Sequence, residues 1–279
     1  TVSSDGGATW LAAEKRLNTD VSPGAGEAGY PRIAADAAGR VHVAWLGRTM
    51  LDPSTPAKVV VNSSADHGTT WKGPVTVSHA TNWAKSCSIA ADGQSRAFAV
   101  WEDIRNGSVD VFMNRTLDGG TTWQATDTRI DVGDAAGSHT SYRPSVAADS
   151  GKAVVAWLDD RNGSREIFAN ASADGGATWM TAVVRVDGGD TPGTHMAELH
   201  WFWGVALRGA RARIALLDDR AGRYDAMVNY SEDGGKTWGA AATRVEAGDT
   251  AGASDSAFAA VALSSDGWTH VGWLDHRGS

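Results

Sequence analysis

Five times the chain writes nearly the same eight letters. They are SSDGGATW at Ser3–Trp10, SADHGTTW at Ser64–Trp71, TLDGGTTW at Thr116–Trp123, SADGGATW at Ser172–Trp179 and SEDGGKTW at Ser231–Trp238. Successive copies start 61, 52, 56 and 59 residues apart, so the 279-residue chain is built from five similar units. A second pattern keeps the same beat: an apolar run, a polar turn, and an apolar run closed by Trp. It reads PRIAADAAGRVHVAW, CSIAADGQSRAFAVW and PSVAADSGKAVVAW, then the worn WGVALRGARARIALL and finally AAVALSSDGWTHVGW.

Each unit therefore offers two strand-like runs, a loop, a third run, the eight-residue box and a fourth run. The runs are short and β-branched, bounded by Asp, Gly, Ser and Asn, and helical periodicity is scarce. Four strands at such a period are the signature of a propeller blade. The expectation is an all-β, five-bladed β-propeller of four-stranded antiparallel blades, forming one domain over residues 1–279. The blades fall near 31–85, 86–143, 144–199, 200–257, and 258–279 joined with 1–30.

The count also predicts how the ring closes. In three units, seven residues form the third strand before the box: Val109–Arg115, Arg165–Ala171 and Tyr224–Tyr230. Only Thr1 and Val2 precede the first box. Residues 1–17 are expected to pair with Phe258–Trp273, so that the N-terminal segment closes the last blade around a stub of a third strand. Closure removes exposed sheet edges. The same count implies a natural chain that continues beyond one of these ends.

A net charge of −8 and a pI near 5.4 argue against nucleic acid as a partner. No stretch is long and apolar enough to span a membrane. The single cysteine, Cys87, excludes an internal disulfide. His195, Met196, Glu198 and His200 stand close together, but their spacing fits no zinc motif, so no metal and no cofactor are expected.

The box is turn chemistry. Its Asp can accept backbone N–H bonds, its glycines supply positive φ, and its Trp can bury a large apolar area. A site for chemistry is needed once and a fastener in every blade. Asp5, Asp66, Asp118, Asp174 and Asp233 are therefore read as structural. A further repeat, W-x-D-x-R-x-G, occupies the second-to-third-strand loops: Trp101/Asp103/Arg105, Trp157/Asp159/Arg161 and Trp273/Asp275/Arg277, with Leu216/Asp218/Arg220 in the fourth unit. Its structural reading is an ion pair that ties blades together. The alternative is a ring of guanidinium groups around an anionic sugar.

The pattern S-x-D-x-G-x-[TK]-W resembles the Asp box, or bacterial neuraminidase repeat, of sialidases and other sugar-handling propellers. The resemblance implies that the boxes lie away from the ligand. The opposite face, made by second-to-third-strand and blade-to-blade loops, carries the site. Of the 13 Trp, Trp83 and Trp201 fall in such connections and could stack on sugar rings, whereas Trp203 is assigned to the core.

Sialidases open their first blade with Arg-Ile, a strand, a Gly turn, a second strand, another Arg and soon an Asp. Arg32-Ile33, Gly39, Arg48 and Asp52 resemble that order, although the family's Pro after Arg-Ile is Ala34 here. The resemblance implies that Arg32 grips a substrate carboxylate, as a guanidinium fork can, and that Arg48 and Asp52 flank the glycosidic centre, with Asp52 as acid/base. Glu198 is the candidate partner of a nucleophilic tyrosine, with Tyr30 and Tyr142 the tyrosines in blade-to-blade loops and Arg143 a further ligand-binding arginine. Sialidases have six blades and keep their Tyr in the sixth. The five counted here favour carbohydrate recognition without turnover. The alternatives are an exo-sialidase or related glycoside hydrolase acting on an anionic sugar, and a structural or protein-interaction propeller. An extracellular, periplasmic or cell-surface location follows from the resemblance.

Overall fold

The computed structural model describes residues 1–49, 56–79, 83–199 and 204–277. Nineteen strands form five antiparallel sheets in chain order. Sheet one holds β1 (Gly26–Ala35), β2 (Val41–Thr49), β3 (Lys58–Ser64) and β4 (Val75–Thr76). Sheet two holds β5 (Ala84–Ala91), β6 (Ala97–Asp103), β7 (Asp110–Thr116) and β8 (Thr128–Arg129). Sheet three holds β9 (Ser141–Asp149), β10 (Lys152–Asp159), β11 (Glu166–Ser172) and β12 (Val184–Arg185). In sheet four the first strand is split into β13 (Ala197–Glu198) and β14 (Val205–Arg208), followed by β15 (Arg211–Asp218), β16 (Asp225–Ser231) and β17 (Thr243–Arg244). Sheet five holds β18 (Ser256–Leu263) and β19 (Thr269–Asp275).

The first strands pack side by side, β1 on β5, β5 on β9, β9 on β14 and β14 on β18. Apolar residues of neighbouring sheets interdigitate between them. Val154, Leu158 and Ile167 of sheet three meet Leu199, Ile214 and Leu216 of sheet four, all fully or nearly fully buried. First strands carry a bulge: Tyr30, Ser86, Arg143 and Phe258 have positive φ at equivalent places, and the registers of β1, β5, β9 and β18 slip there. A non-glycine residue in this region is uncommon, and its recurrence marks a built feature that re-aims side chains near the strand's start.

The box behaves as a fastener. In the fourth copy the Ser172 hydroxyl donates to Asp174 at 2.9 Å and accepts the Gly176 N–H at 2.8 Å, while Asp174 accepts the N–H and hydroxyl of Thr178. The Gly175 N–H then donates to the Gly151 carbonyl in the first-to-second-strand turn of the same sheet, at 2.7 Å. Boxes two, three and five make the same bond, from His67 to Gly39, Gly119 to Ser95 and Gly234 to Ala210. The second glycine has to be glycine: a Cβ on Gly176 would stand 2.7 Å from Phe98 of the preceding sheet, at a φ of +78°.

An asparagine two residues before four of the boxes ties each sheet to what precedes it. The side-chain amides of Asn62, Asn114, Asn170 and Asn229 donate to the carbonyls of Leu17, Val77, Ile130 and Val186, at 2.7–3.0 Å. The W-x-D-x-R loops do the same on the other end. Asp159 accepts the Trp157 indole N–H and pairs with Arg161, which donates to the carbonyls of Asp131 and Val132 in sheet two's outgoing connection. Arg220 repeats this on Asp187 and Gly188. The expected ion pairs form, but each stays within its own loop; what ties the sheets is the donation of Arg161 and Arg220 to the preceding connection's carbonyls.

Closure departs from expectation. Among the described residues β18 and β19 pair only with each other, and residues 1–25 form no strand. The first box makes its internal bonds, Ser3 to Asp5 and Gly7 to Ser3, yet Trp10 stays 61% exposed. The N-terminal segment stands against sheet one as each sheet's outer part stands against the sheet that follows it. Leu17 accepts from Asn62, Lys15 donates to the Thr69 carbonyl, and Val2 lies where a Cβ on Gly68 would touch it. Val77 and Arg115 make the matching contacts with the sheets that follow them, so the segment takes the place of a preceding sheet's outer part without joining the β18–β19 ladder.

Candidate functional site

The box bonds put the boxes at one end of the sheets. The other end holds the starts of β1, β5, β9 and β13 and the ends of β2, β6, β10 and β15. Between sheets one and two this end opens into a cleft of about 720 Å³. Glu27, Tyr30, Arg48, Trp83, Lys85 and Glu102 give it its chemistry, and Ala28, Leu46, Ala57 and Ala84 its apolar walls.

Arg48, at the end of β2, pairs with Glu27 across the strand, and its guanidinium lies 5.9 Å from the Trp83 ring centroid. Trp83 is half-buried just ahead of β5. Tyr30 is 59% exposed on the β1 bulge, and its carbonyl accepts from the buried Cys87 thiol at 3.8 Å. Burial pushes that thiol up to about 12, so Cys87 is an inert core residue. Glu102, near the end of β6, is buried at 9% exposure, and its Oε1 accepts the backbone N–H of Arg143 at 2.8 Å. Burial raises the Glu102 pKa above the usual carboxylate value, against the pull of Arg143 and Lys85.

Arg143 links the cleft to a second cluster between sheets three and four. Its guanidinium meets Glu198 at 2.5 Å, and Arg165 holds the other oxygen of Glu198. Arg165 also donates to the Tyr224 hydroxyl at 3.3 Å and bonds Tyr142. Burial raises the pKa of both tyrosines above the ordinary phenol value, with the Arg165 charge opposing.

Of the residues singled out from sequence, Tyr30, Arg48 and Trp83 meet in the cleft, and Tyr142, Arg143 and Glu198 meet in the second cluster. Arg32 lies apart on β1, half-buried, donating to the Pro31 carbonyl at 2.7 Å. Asp52 and Trp201, with Trp203 and His200, lie outside the described residues. Arg48 and Arg143 are each already paired with a glutamate. Among the described residues no cluster of acids, histidines or Cys could hold a metal.

Glu27, Lys85, Glu102, Arg165 and Tyr224 were missed. Glu102 had a signal. It follows the second-strand Trp or its equivalent, a place held by Leu46, Leu158, Leu217 and Leu274 in the other units. A third repeat was also missed, R-x-[DE]-x-G-D-x-x-G, in the connections between sheets. Arg129, Arg185 and Arg244 each bind three acids there, Arg185 taking Glu166, Asp187 and Asp190. His195 bonds Asp190 at 2.9 Å, and His139 bonds Asp134 in the same way, so the histidine once weighed as a ligand is part of a connector.

No family model matches the sequence, and no curated protein matches it. Solved structures do. A protein of unknown function from Dyadobacter fermentans aligns with a TM-score of 0.59 at 15% identity, over 89% of this chain and 75% of that one. An alpha-L-arabinanase from Penicillium chrysogenum, complexed with arabinobiose, aligns with a TM-score of 0.51 at 18% identity, over 73% of this chain and 62% of that one. The intramolecular trans-sialidase from Ruminococcus gnavus, in complex with oseltamivir carboxylate, aligns with a TM-score of 0.51 at 12% identity, over 78% and 71%. At these identities the likeness is one of fold: this chain has a propeller-type fold, built of antiparallel, mostly four-stranded sheets.

Proposed function

We propose that this protein is a carbohydrate-recognising propeller of the Asp-box, sialidase-like type, with five sheets acting as blades, and that it binds sugar in the cleft between sheets one and two. The observation that carries this reading is the cleft itself. It sits at the end opposite the boxes, its volume suits a mono- or disaccharide, and it sets the half-buried Trp83 beside charged and hydroxyl groups. Aromatic faces and a few placed polar groups are what a sugar ring requires. The likeness to an arabinanase complexed with arabinobiose and to a trans-sialidase supports the sugar class without naming the sugar. An extracellular, periplasmic or cell-surface location goes with this reading, and fractionation of the source cells tests it.

Turnover is the second reading, favoured by the meeting of Tyr142, Arg143 and Glu198. Two features count against it. Both oxygens of Glu198 are held by arginines, and burial makes Tyr142 a weaker acid, the opposite of an activated nucleophile. A glycan array together with hydrolysis of a fluorogenic sialoside separates the readings. Binding without hydrolysis supports recognition, hydrolysis selects the enzyme, and silence in both leaves an interaction scaffold.

A further inference from the structure

Four of the five units place leucine directly after the residue that ends the second strand's apolar run, and one places glutamate. The ladders confirm the equivalence. Leu46 faces Gly29 and Val59, Leu158 faces Tyr142 and Ile167, Leu217 faces Glu198 and Ala226, and Glu102 faces Lys85 and Val111. The place is buried in three units, at Leu158, Leu217 and Glu102, half-buried at Leu46 and exposed at Leu274. A carboxyl at such a place pays a desolvation penalty that leucine avoids. Its presence there calls for a reason other than stability.

The cleft supplies one. Glu102 lines it with Trp83, Tyr30, Lys85 and Arg48. One carboxyl oxygen, Oε1, is fixed by the Arg143 N–H, which sets the orientation of the group. The remaining charges in the cleft are matched. Arg48 is paired with Glu27, and Lys85 stands directly across the ladder from Glu102. Two acids and two bases leave no surplus positive charge for an acidic ligand. We propose that the cleft takes an uncharged saccharide, with Glu102 as the carboxyl that hydrogen-bonds its ring hydroxyls while Trp83 covers its apolar face. This inference rests on the cleft being a sugar site and goes further, because it names the ligand class and the anchor.

Burial raises the Glu102 pKa while the Arg143 N–H and the Lys85 and Arg143 charges oppose the rise, so Glu102 accepts from sugar hydroxyls as a carboxylate and gains a donor on protonation. The charged groups around it are Lys85 on β5 and Arg143 on β9, with Arg48 and Glu27 across the cleft. Raising the pH through its titration turns a donor into an acceptor only.

The test is an array carrying neutral and acidic glycans side by side, probed with the wild type, Glu102→Leu and Glu102→Gln, with melting temperatures as a folding control. Neutral glycans are expected to bind the wild type. Glu102→Leu, which installs the residue of the other four units, should fold as well as the wild type and bind about tenfold more weakly or worse. Glu102→Gln keeps a donor and an acceptor, so it should stay within about threefold and lose the pH dependence of binding. Wild-type affinity in Glu102→Leu, or binding of acidic glycans only, overturns the inference and leaves the cleft as a sugar site. A wild type silent on every glycan overturns both together.

Discussion

The backbone N–H of Arg143 donates to Glu102 at 2.8 Å, while the side chain of the same residue reaches Glu198 at 2.5 Å. One residue therefore touches both polar clusters. Its φ of 55° is what allows this. At the bulge the chain turns its N–H away from the ladder toward sheet two and its guanidinium toward sheet four. A bonded chain runs from Glu102 through Arg143, Glu198 and Arg165 to Tyr224, and at its Glu102 end it meets the cleft that Trp83 lines.

Trp83→Ala should remove the ring that stacks on sugar and weaken binding by about tenfold, as loss of an aromatic anchor does. Trp83 is half-buried and stands outside the strands, so the melting temperature should fall by only a few degrees. Titration calorimetry and thermal melts on the same sample check both halves. A large fall in melting temperature would show that the indole belongs to the core.

Asp174→Ala should act the other way. Asp174 accepts from Ser172 and twice from Thr178, and those donors lose their acceptor on substitution. Thr178 is exposed and can turn to water, so the loss should be about 1 kcal/mol, with ligand affinity unchanged. The pH dependence has a definite sign. These bonds hold Asp174 down to about 2, below the ordinary aspartate value of 3.8. Its contribution is complete above that value and is lost as pH falls from about 4 to about 2. Melts in that window should show a smaller acid loss in Asp174→Ala than in the wild type.

Much of this was legible because the sequence repeats. Boxes, strand pairs and W-x-D-x-R loops were readable from five aligned copies, and so was their structural role, since a fastener recurs where a site does not. The same comparison held Glu102, as the exception among leucines, and the asparagines ahead of the boxes. The second cluster was only half legible. Tyr142 and Arg165 come from sheet three, Glu198 and Tyr224 from sheet four, and nothing along the chain links them. Closure was legible only in part. Asn62 and Gly68 meet the N-terminal segment as later sheets meet the sheet before them, but the segment forms no strand that joins the β18–β19 ladder.

The connectors carry a second pH signature, opposite in sign to that of the boxes. Asp187 is buried at 1% exposure between sheets three and four. Burial raises its carboxyl to about 7, with Glu166 adding to the shift and Arg185 opposing it. From about pH 4 to 7 the folded chain keeps a proton at this site that the unfolded chain releases. This group's contribution is therefore fully present below about 4 and is lost as pH rises toward 7. The size is on the order of 2–4 kcal/mol at 1.36 kcal/mol per pKa unit. Asp187→Asn should flatten the melting temperature across that window. Parallel curves for the two proteins would mean that Asp187 stays ionised throughout.

The sheet-to-sheet asparagines allow the sharpest test of how the blades are joined. Asn170 is fully buried. Its amide donates to the Ile130 carbonyl at the end of sheet two and to the Met180 carbonyl, and its oxygen accepts the Met180 N–H at 3.0 Å. Asn170→Ala leaves the Ile130 carbonyl without this donor, while the Met180 N–H keeps its bond to the Ala171 carbonyl at 3.2 Å. A buried group stranded in this way should cost about 1–3 kcal/mol. Asn170→Asp restores the acceptor but not the donor, and it places a charge against the Ile130 carbonyl. It should therefore destabilise at least as much as alanine. The bond spans two sheets, so the loss should appear as faster amide exchange in both β11 and the Val111–Ile130 pairing. If exchange rises in sheet three alone, Asn170 serves only its own box, and sheets two and three are held together by their apolar faces without it.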